Sequence, residues 1–91
     1  MIKQVSIFRR KPDISEERFA DHWRNRHADV VSVLPGIVKY TQNLAIGPVV
    51  PGASRPFDGV AEVWFDHIEA MRANSGTPQL DAIRADEENF I

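Results

Sequence analysis

Alternation of apolar and polar positions marks three strands. Residues 2–8 carry Val5, Ile7 and Phe8 with Gln4 and Ser6 between them, an imperfect period of two. Residues 37–46 place Val38, Tyr40 and Gln42 on one face and Ile37, Lys39, Thr41 and Asn43 on the other. Residues 57–65 place Val60, Glu62 and Trp64 on one face and Gly59, Ala61, Val63 and Phe65 on the other, so both faces look buried around one carboxylate. Between the first two strands the period lengthens. Ser15 is a good N-cap, with Glu16 and Glu17 in the first turn, where the helix dipole favours carboxylates. Phe19, Trp23, Val30, Val31 and Leu34 form the apolar stripe, with Arg26 falling on it unexplained, and Pro35-Gly36 stops the helix.

Punctuation divides the rest. Residues 47–56 hold three prolines and two glycines and read as a long loop, because proline donates no ladder hydrogen bond. Asp66 with Glu69 predicts a capping box opening a short helix through Ile68 and Met71. Asn74-Ser75-Gly76 ends that helix, and Thr77-Pro78 starts a second one through Leu80 and Ile83, reaching toward Phe90. The basic run Arg9-Arg10-Lys11 and the acidic run Asp86-Glu87-Glu88 read as solvated faces. The element order is βαββα(α), an α+β chain.

Ninety-one residues make one small domain with a modest core. A net charge of −2 argues against a nucleic-acid binder, whose affinity comes from a Lys/Arg excess. Cysteine is absent, which excludes disulfides, thiolate nucleophiles and zinc–thiolate sites. No apolar run reaches the roughly 18 residues that span a bilayer, so no membrane partner is expected. The N-terminus lacks the pattern of a signal peptide, and a cytoplasmic setting is the expectation. A small chain without disulfides often gains its remaining stability by oligomerising.

No phosphate loop, nucleophile elbow or zinc-protease motif is present, so chemistry must rest on single polar residues in apolar settings. His27 sits at the edge of the helix stripe, one turn after Trp23. Imidazole is the side chain suited to moving protons near neutral pH, although a packed structural histidine would share the pattern. Glu62, between Val60 and Trp64, is expensive to bury unless paired or protonated. Tyr40 offers a hydroxyl on a ring that can line a pocket, and Asn43 lies near the same strand's end. Trp23 and Trp64 are candidate substrate-binding rings as well as core residues. His22 falls about 140° around an α-helix from His27, so the two should not meet at one ligand. Neither a metal nor a cofactor is called for.

The stretches Lys11-Pro12, Ser15-Glu16-Glu17-x-Phe19 and His22-Trp23-Arg24-Asn25-Arg26-His27 resemble the first helix of EthD-family proteins. Leu34-Pro35-Gly36-Ile37-x-x-Tyr40-Thr41-Gln42-Asn43 and Asp86-Glu87-x-Asn89-Phe90-Ile91 resemble further blocks of that family. Phe57-Asp58-Gly59-Val60-Ala61-Glu62-Val63-Trp64-Phe65-Asp66 is the most specific of them. The resemblance implies one EthD-like domain over residues 1–91, a ferredoxin-like βαββαβ protomer whose sheet pairs with a second copy to form a dimeric α+β barrel. It also implies a last strand after the Asn-Phe-Ile segment, expected to be absent or truncated in this chain. The functions it implies are two. One is a cofactor-free lyase or isomerase acting on a small apolar or aromatic carbonyl or hydroxyl compound, with His27 moving a proton and Tyr40 or Glu62 assisting. The other is a non-catalytic accessory module beside a monooxygenase, as in ethyl tert-butyl ether degradation.

Overall fold

The structure is a computed structural model that describes residues 1–47 and 50–91, so Pro48 and Val49 of the predicted 47–56 loop lie outside the described residues. Its elements are β1 (Ile2–Phe8), α1 (Glu16–His22), a π-helical turn (Trp23–His27), α2 (Ala28–Ser32), β2 (Ile37–Leu44), β3 (Gly59–Phe65), α3 (Ile68–Arg72) and α4 (Pro78–Glu87). The three strands form one antiparallel sheet in the order β1-β3-β2. The helices cover one face of it. This is the α+β class read from the sequence, with β3 in the centre because it is apolar on both sides.

Register divides the residues between the two faces. Gln4, Ser6 and Phe8 of β1 lie opposite Val63, Ala61 and Gly59, and Tyr40, Gln42 and Leu44 of β2 flank the same three from the other side. These residues face the helices. Lys3, Val5, Ile7, Lys39, Thr41, Asn43, Val60, Glu62 and Trp64 occupy the opposite face, since successive side chains alternate. A register shift between Ile37 and Lys39 corrects the sequence reading at one residue: the bulge returns Ile37 to the helix face, where it packs beside Phe65.

The first helix is continuous but not uniform. Ser15 Oγ accepts from the Arg18 N–H, as expected of the cap. At Trp23–His27 the bonding lengthens, and the Ala28 N–H donates to the Trp23 carbonyl five residues back. A wider turn rotates less per residue. His27 therefore joins Trp23 on the buried face, Val31 follows, and Arg26 swings out to solvent. A uniform 100° step puts Arg26 on the stripe and His27 at its edge; the π turn exchanges them. The helix then closes on Gly36, whose φ of +79° is a left-handed conformation that favours glycine.

Two core clusters follow. Phe19, Trp23, Ala61 and Phe90 form one, and Val31, Leu34, Phe65 and Ile83 form the other. Gly59 is where β3 passes under the indole. A β-carbon there would sit 2.9 Å from Trp23 Cη2 and Cζ3 and 3.0 Å from Phe8 Cε2, and the buried indole is not free to retreat. Gly59→Ala is therefore expected to cost about 1–3 kcal/mol, the range for overpacking a filled core. Urea denaturation followed by circular dichroism measures it, and an unchanged midpoint would refute the contact.

The last helices are capped as the sequence suggests in one case and not in the other. Thr77 Oγ1 accepts from the Leu80 N–H, with Pro78 at the first helical position. For α3 the cap is His67, whose Nδ1 accepts from the Ala70 N–H, rather than Asp66. The basic run is also less free than its composition suggests. Arg10 donates its backbone N–H to Asp58 and a guanidinium N–H to the Ile14 carbonyl, and Lys11 Nζ reaches the Glu88 carbonyl.

Candidate functional site

Between the helix face of the sheet and the helices lies a cleft of about 220 Å³. Trp23, His27 and Val31 line it from the first helix, Tyr40, Ala61 and Val63 from the sheet, and Ile83, Arg84 and Glu87 from α4, with Gln4 and Ser6 on its β1 side. The wall is mostly apolar, and a few polar groups converge on it. The volume sits just below the usual ~300–1,000 Å³ of ligand pockets, which suits a compact molecule.

His27 is 6% exposed, and the reason its ring is tolerated there is Asp86. Its Nδ1 lies 2.8 Å from Asp86 Oδ2. Asp86 also meets His22, whose Nε2 lies 3.0 Å from Oδ1 and 3.1 Å from Oδ2, and Asn89 Nδ2 donates to Oδ1 at 3.2 Å. Burial pushes the Asp86 carboxyl upward, but the hydrogen bonds from His27, Asn89 and His22 outweigh it and leave the carboxyl below its ordinary value. The group is then an ionised acceptor with no proton to give. Both imidazoles then donate to it, so Nδ1 of His27 carries a hydrogen, and in the neutral ring Nε2 is the acceptor. Nε2 has no partner among the described residues, and the ring borders the cleft.

This cluster corrects two sequence expectations. Asp86 is not part of a solvated acidic face. It follows Ile83 by three residues and precedes Phe90 by four, and that spacing puts it on the buried side of α4. His22 and His27, expected on different faces, share one carboxylate because a π turn separates them and residues five apart align. Both rings also pack on the fully buried Phe90, each with its centroid 4.8 Å from the phenyl centroid.

Tyr40 reaches the cleft from β2. Gln42 Nε2 donates to the Tyr40 hydroxyl oxygen at 2.8 Å and to the Trp23 carbonyl at 2.7 Å. The carbonyl can only accept, so the amide orientation is fixed, and the Tyr40 oxygen is an acceptor toward Gln42. Its own proton is left to donate elsewhere, and no acceptor among the described residues takes it. Burial raises the Tyr40 pKa, partly offset by Gln42 and by the nearby Trp23 indole, so the phenol stays protonated at neutral pH. The indole N–H itself finds no well-aligned partner.

The structure does not bring Glu62, Trp64 or Asn43 to this cleft. All three lie on the far face of the sheet. Glu62 accepts from Lys3 Nζ at 2.9 Å, Thr41 Oγ1 at 3.0 Å and Asn43 Nδ2 at 2.9 Å. Lys3, then Asn43 and Thr41, hold its carboxyl below the ordinary value. Trp64 has Lys3 Nζ 5.4 Å and Lys39 Nζ 4.9 Å from its ring centroid. His67, at the start of α3, is likewise away from the cleft and 3.2 Å from Glu69.

The molecule is thus a small α+β protein with an antiparallel sheet, a helix layer on one side and a His–Asp pair beside an apolar cleft. The sequence matches the EthD domain over residues 11–91, and the chain belongs to that family. Among solved structures it is similar to an ethyl tert-butyl ether D (EthD) family protein from Bacillus halodurans C-125, with 21% identity and a TM-score of 0.74 over 92% of this chain and 80% of that one. That likeness bears on the fold. No protein of curated function matches significantly. Among the described residues, no helix is long and apolar enough to cross a membrane.

Proposed function

We propose that the cleft binds a small apolar or aromatic compound carrying a carbonyl or hydroxyl group and that His27 transfers a proton within it. The observation that carries this reading is the half-used imidazole: Nδ1 is committed to an ionised Asp86, Nε2 has no partner among the described residues, and the ring borders a largely apolar cavity. A base needs an orienting partner and a reachable lone pair, and this ring has both. Tyr40 supplies the complementary donor, its O–H aimed away from Gln42 and available to a ligand oxygen. As that oxygen gains negative charge, a fixed donor on a largely apolar wall stabilises it more than freely turning water would. The reaction class is a lyase or isomerase step without a cofactor, of the kind met in xenobiotic or polyketide-type metabolism, in the cytoplasm.

The far face of the sheet supports a homodimer as part of the same proposal. Val5 is 50% exposed and Ile7 66% exposed there, beside Trp64 and the satisfied Glu62 cluster. A second sheet would cover these residues.

The test is a panel of compact ketones, lactones and phenols. Protein chemical shifts at Ser6, His27 and Tyr40 report binding, and deuterium uptake from solvent at acidic C–H bonds reports proton transfer. Native mass spectrometry reports the dimer. Uptake that requires the protein supports the reading. Binding with neither uptake nor conversion favours the accessory role instead, and no binding anywhere in the panel removes the cleft from consideration.

A further inference from the structure

We propose that His22 is a positioning residue for His27, acting through Asp86 and set in place by the π turn; this rests on the reading of His27 as the proton-transferring group. His22 does not line the cleft. It borders a separate groove on the outer side of the first helix with Arg18, Asp21 and Arg26. Its tie to His27 is the carboxylate they share.

The geometry of that tie is restrictive. His27 holds Asp86 by a single 2.8 Å contact to Oδ2, about which a carboxylate is free to turn. His22 Nε2 straddles both oxygens, at 3.0 and 3.1 Å, and so fixes the plane of the group. Asn89 supports Oδ1 alone. With the plane fixed, Oδ2 stays directed at His27 Nδ1, and the ring keeps its orientation beside the cleft. Phe90 sets the tilt of both rings, His22 at 36° and His27 at 63° to the phenyl plane. The π turn covers all the residues that separate the pair, Trp23 through His27, and its Trp23 carbonyl is pinned to β2 by Gln42. One irregular turn thus lines up the two histidines and anchors the tyrosine's hydrogen-bond network. Such π turns recur at functional sites because they reorient side chains without breaking a helix.

The experiment separates hydrogen bonding from packing. His22→Phe keeps an aromatic ring on Phe90 but donates nothing, and His22→Gln restores an N–H donor. Ring ¹⁵N spectra of histidine-labelled protein without ligand report which nitrogen of His27 carries the proton, with the exposed His67 as internal reference. The wild type is expected to show His27 as a single Nδ1–H tautomer. In His22→Phe the Nδ1–H form should persist, but its Hδ1 proton, bonded to a carboxylate now free to turn, should shift upfield and exchange faster with solvent, and His22→Gln should restore both. On any substrate found for the cleft, His22→Phe should turn over roughly tenfold more slowly at unchanged KM, the equivalent of one charge-assisted hydrogen bond. An unchanged Hδ1 shift and exchange rate in His22→Phe overturns the proposal whether or not a substrate exists. The role of His27 itself is decided separately: loss of turnover in a His27 variant, beside an unaffected His22→Phe, would keep the base and discard its positioning partner.

Discussion

Trp23→Ala is expected to lower stability by about 3–5 kcal/mol, the range for deleting a buried large aromatic. The indole is 1% exposed and is the point where the layers meet. Phe8 of β1 packs edge-on against it with centroids 5.0 Å apart, Phe19 lies one turn earlier at 5.7 Å, and Gly59 of β3 leaves it just enough room. Truncation would leave a cavity walled by rigid rings and a glycine, none of which can move in to fill it. A domain of this size has about 5–15 kcal/mol of stability in total, so this one side chain carries a large share. At about 4–8 °C per kcal/mol for a domain of up to 100 residues, the melting temperature should fall by about 12 °C or more. A fall of less than about 4 °C would show that the indole is not the hub. The contact with Gly59 adds an independent check. Trp23→Phe removes the ring atoms that a new β-carbon would strike, so Gly59→Ala should cost less in that background than in the wild type, a coupling that distant sites do not show.

Much of this arrangement is legible in the residues, and most of what is not has one physical origin. The strands are readable because a period of two survives small errors of boundary: the predicted 57–65 and the observed Gly59–Phe65 put the same side chains on the same faces. Phe19, Trp23, Val31 and Leu34 are readable as core because each is large and apolar. His27 and Tyr40, which stand out as single polar groups in apolar settings, do line one cleft. What is not readable is what depends on helical phase. A constant α-helical step cannot anticipate a π turn, so it sends His22 to the wrong side and Arg26 to the stripe. With His22 misplaced, nothing draws attention to Asp86, and a run of three acids is read by its charge rather than by its spacing from Ile83 and Phe90. Glu62 shows a different error. The alternation puts it on the right strand face, but the other strands supply Lys3, Thr41 and Asn43 as partners, and only the register reveals that neighbours from both sides satisfy it.

His27→Gln should abolish most proton transfer while leaving the protein folded. General acid–base catalysis by one positioned group is worth about 10²–10⁴-fold, equivalent to roughly 3–5 kcal/mol of barrier, and the other basic group that lines the cleft, Glu87, is tied to Arg84 at 2.7 Å. Glutamine is the informative replacement because its amide can still donate to Asp86 from the same helix position. The short bond to Asp86 is then replaced rather than lost, so a change in rate is not confused with a loosened site. What the amide lacks is a basic lone pair, the property assigned to Nε2. Ligand affinity, set by the apolar wall and by the Tyr40 hydroxyl, should change little, so the loss should fall on kcat and not on KM. The measurement is the rate of deuterium uptake or conversion by His27→Gln and by the wild type at saturating ligand, with circular dichroism confirming the fold. A rate within about threefold of wild type would remove the imidazole from the chemistry. The cleft would then be a binding site, and the short His27–Asp86 bond would be a means of burying a polar ring against Phe90.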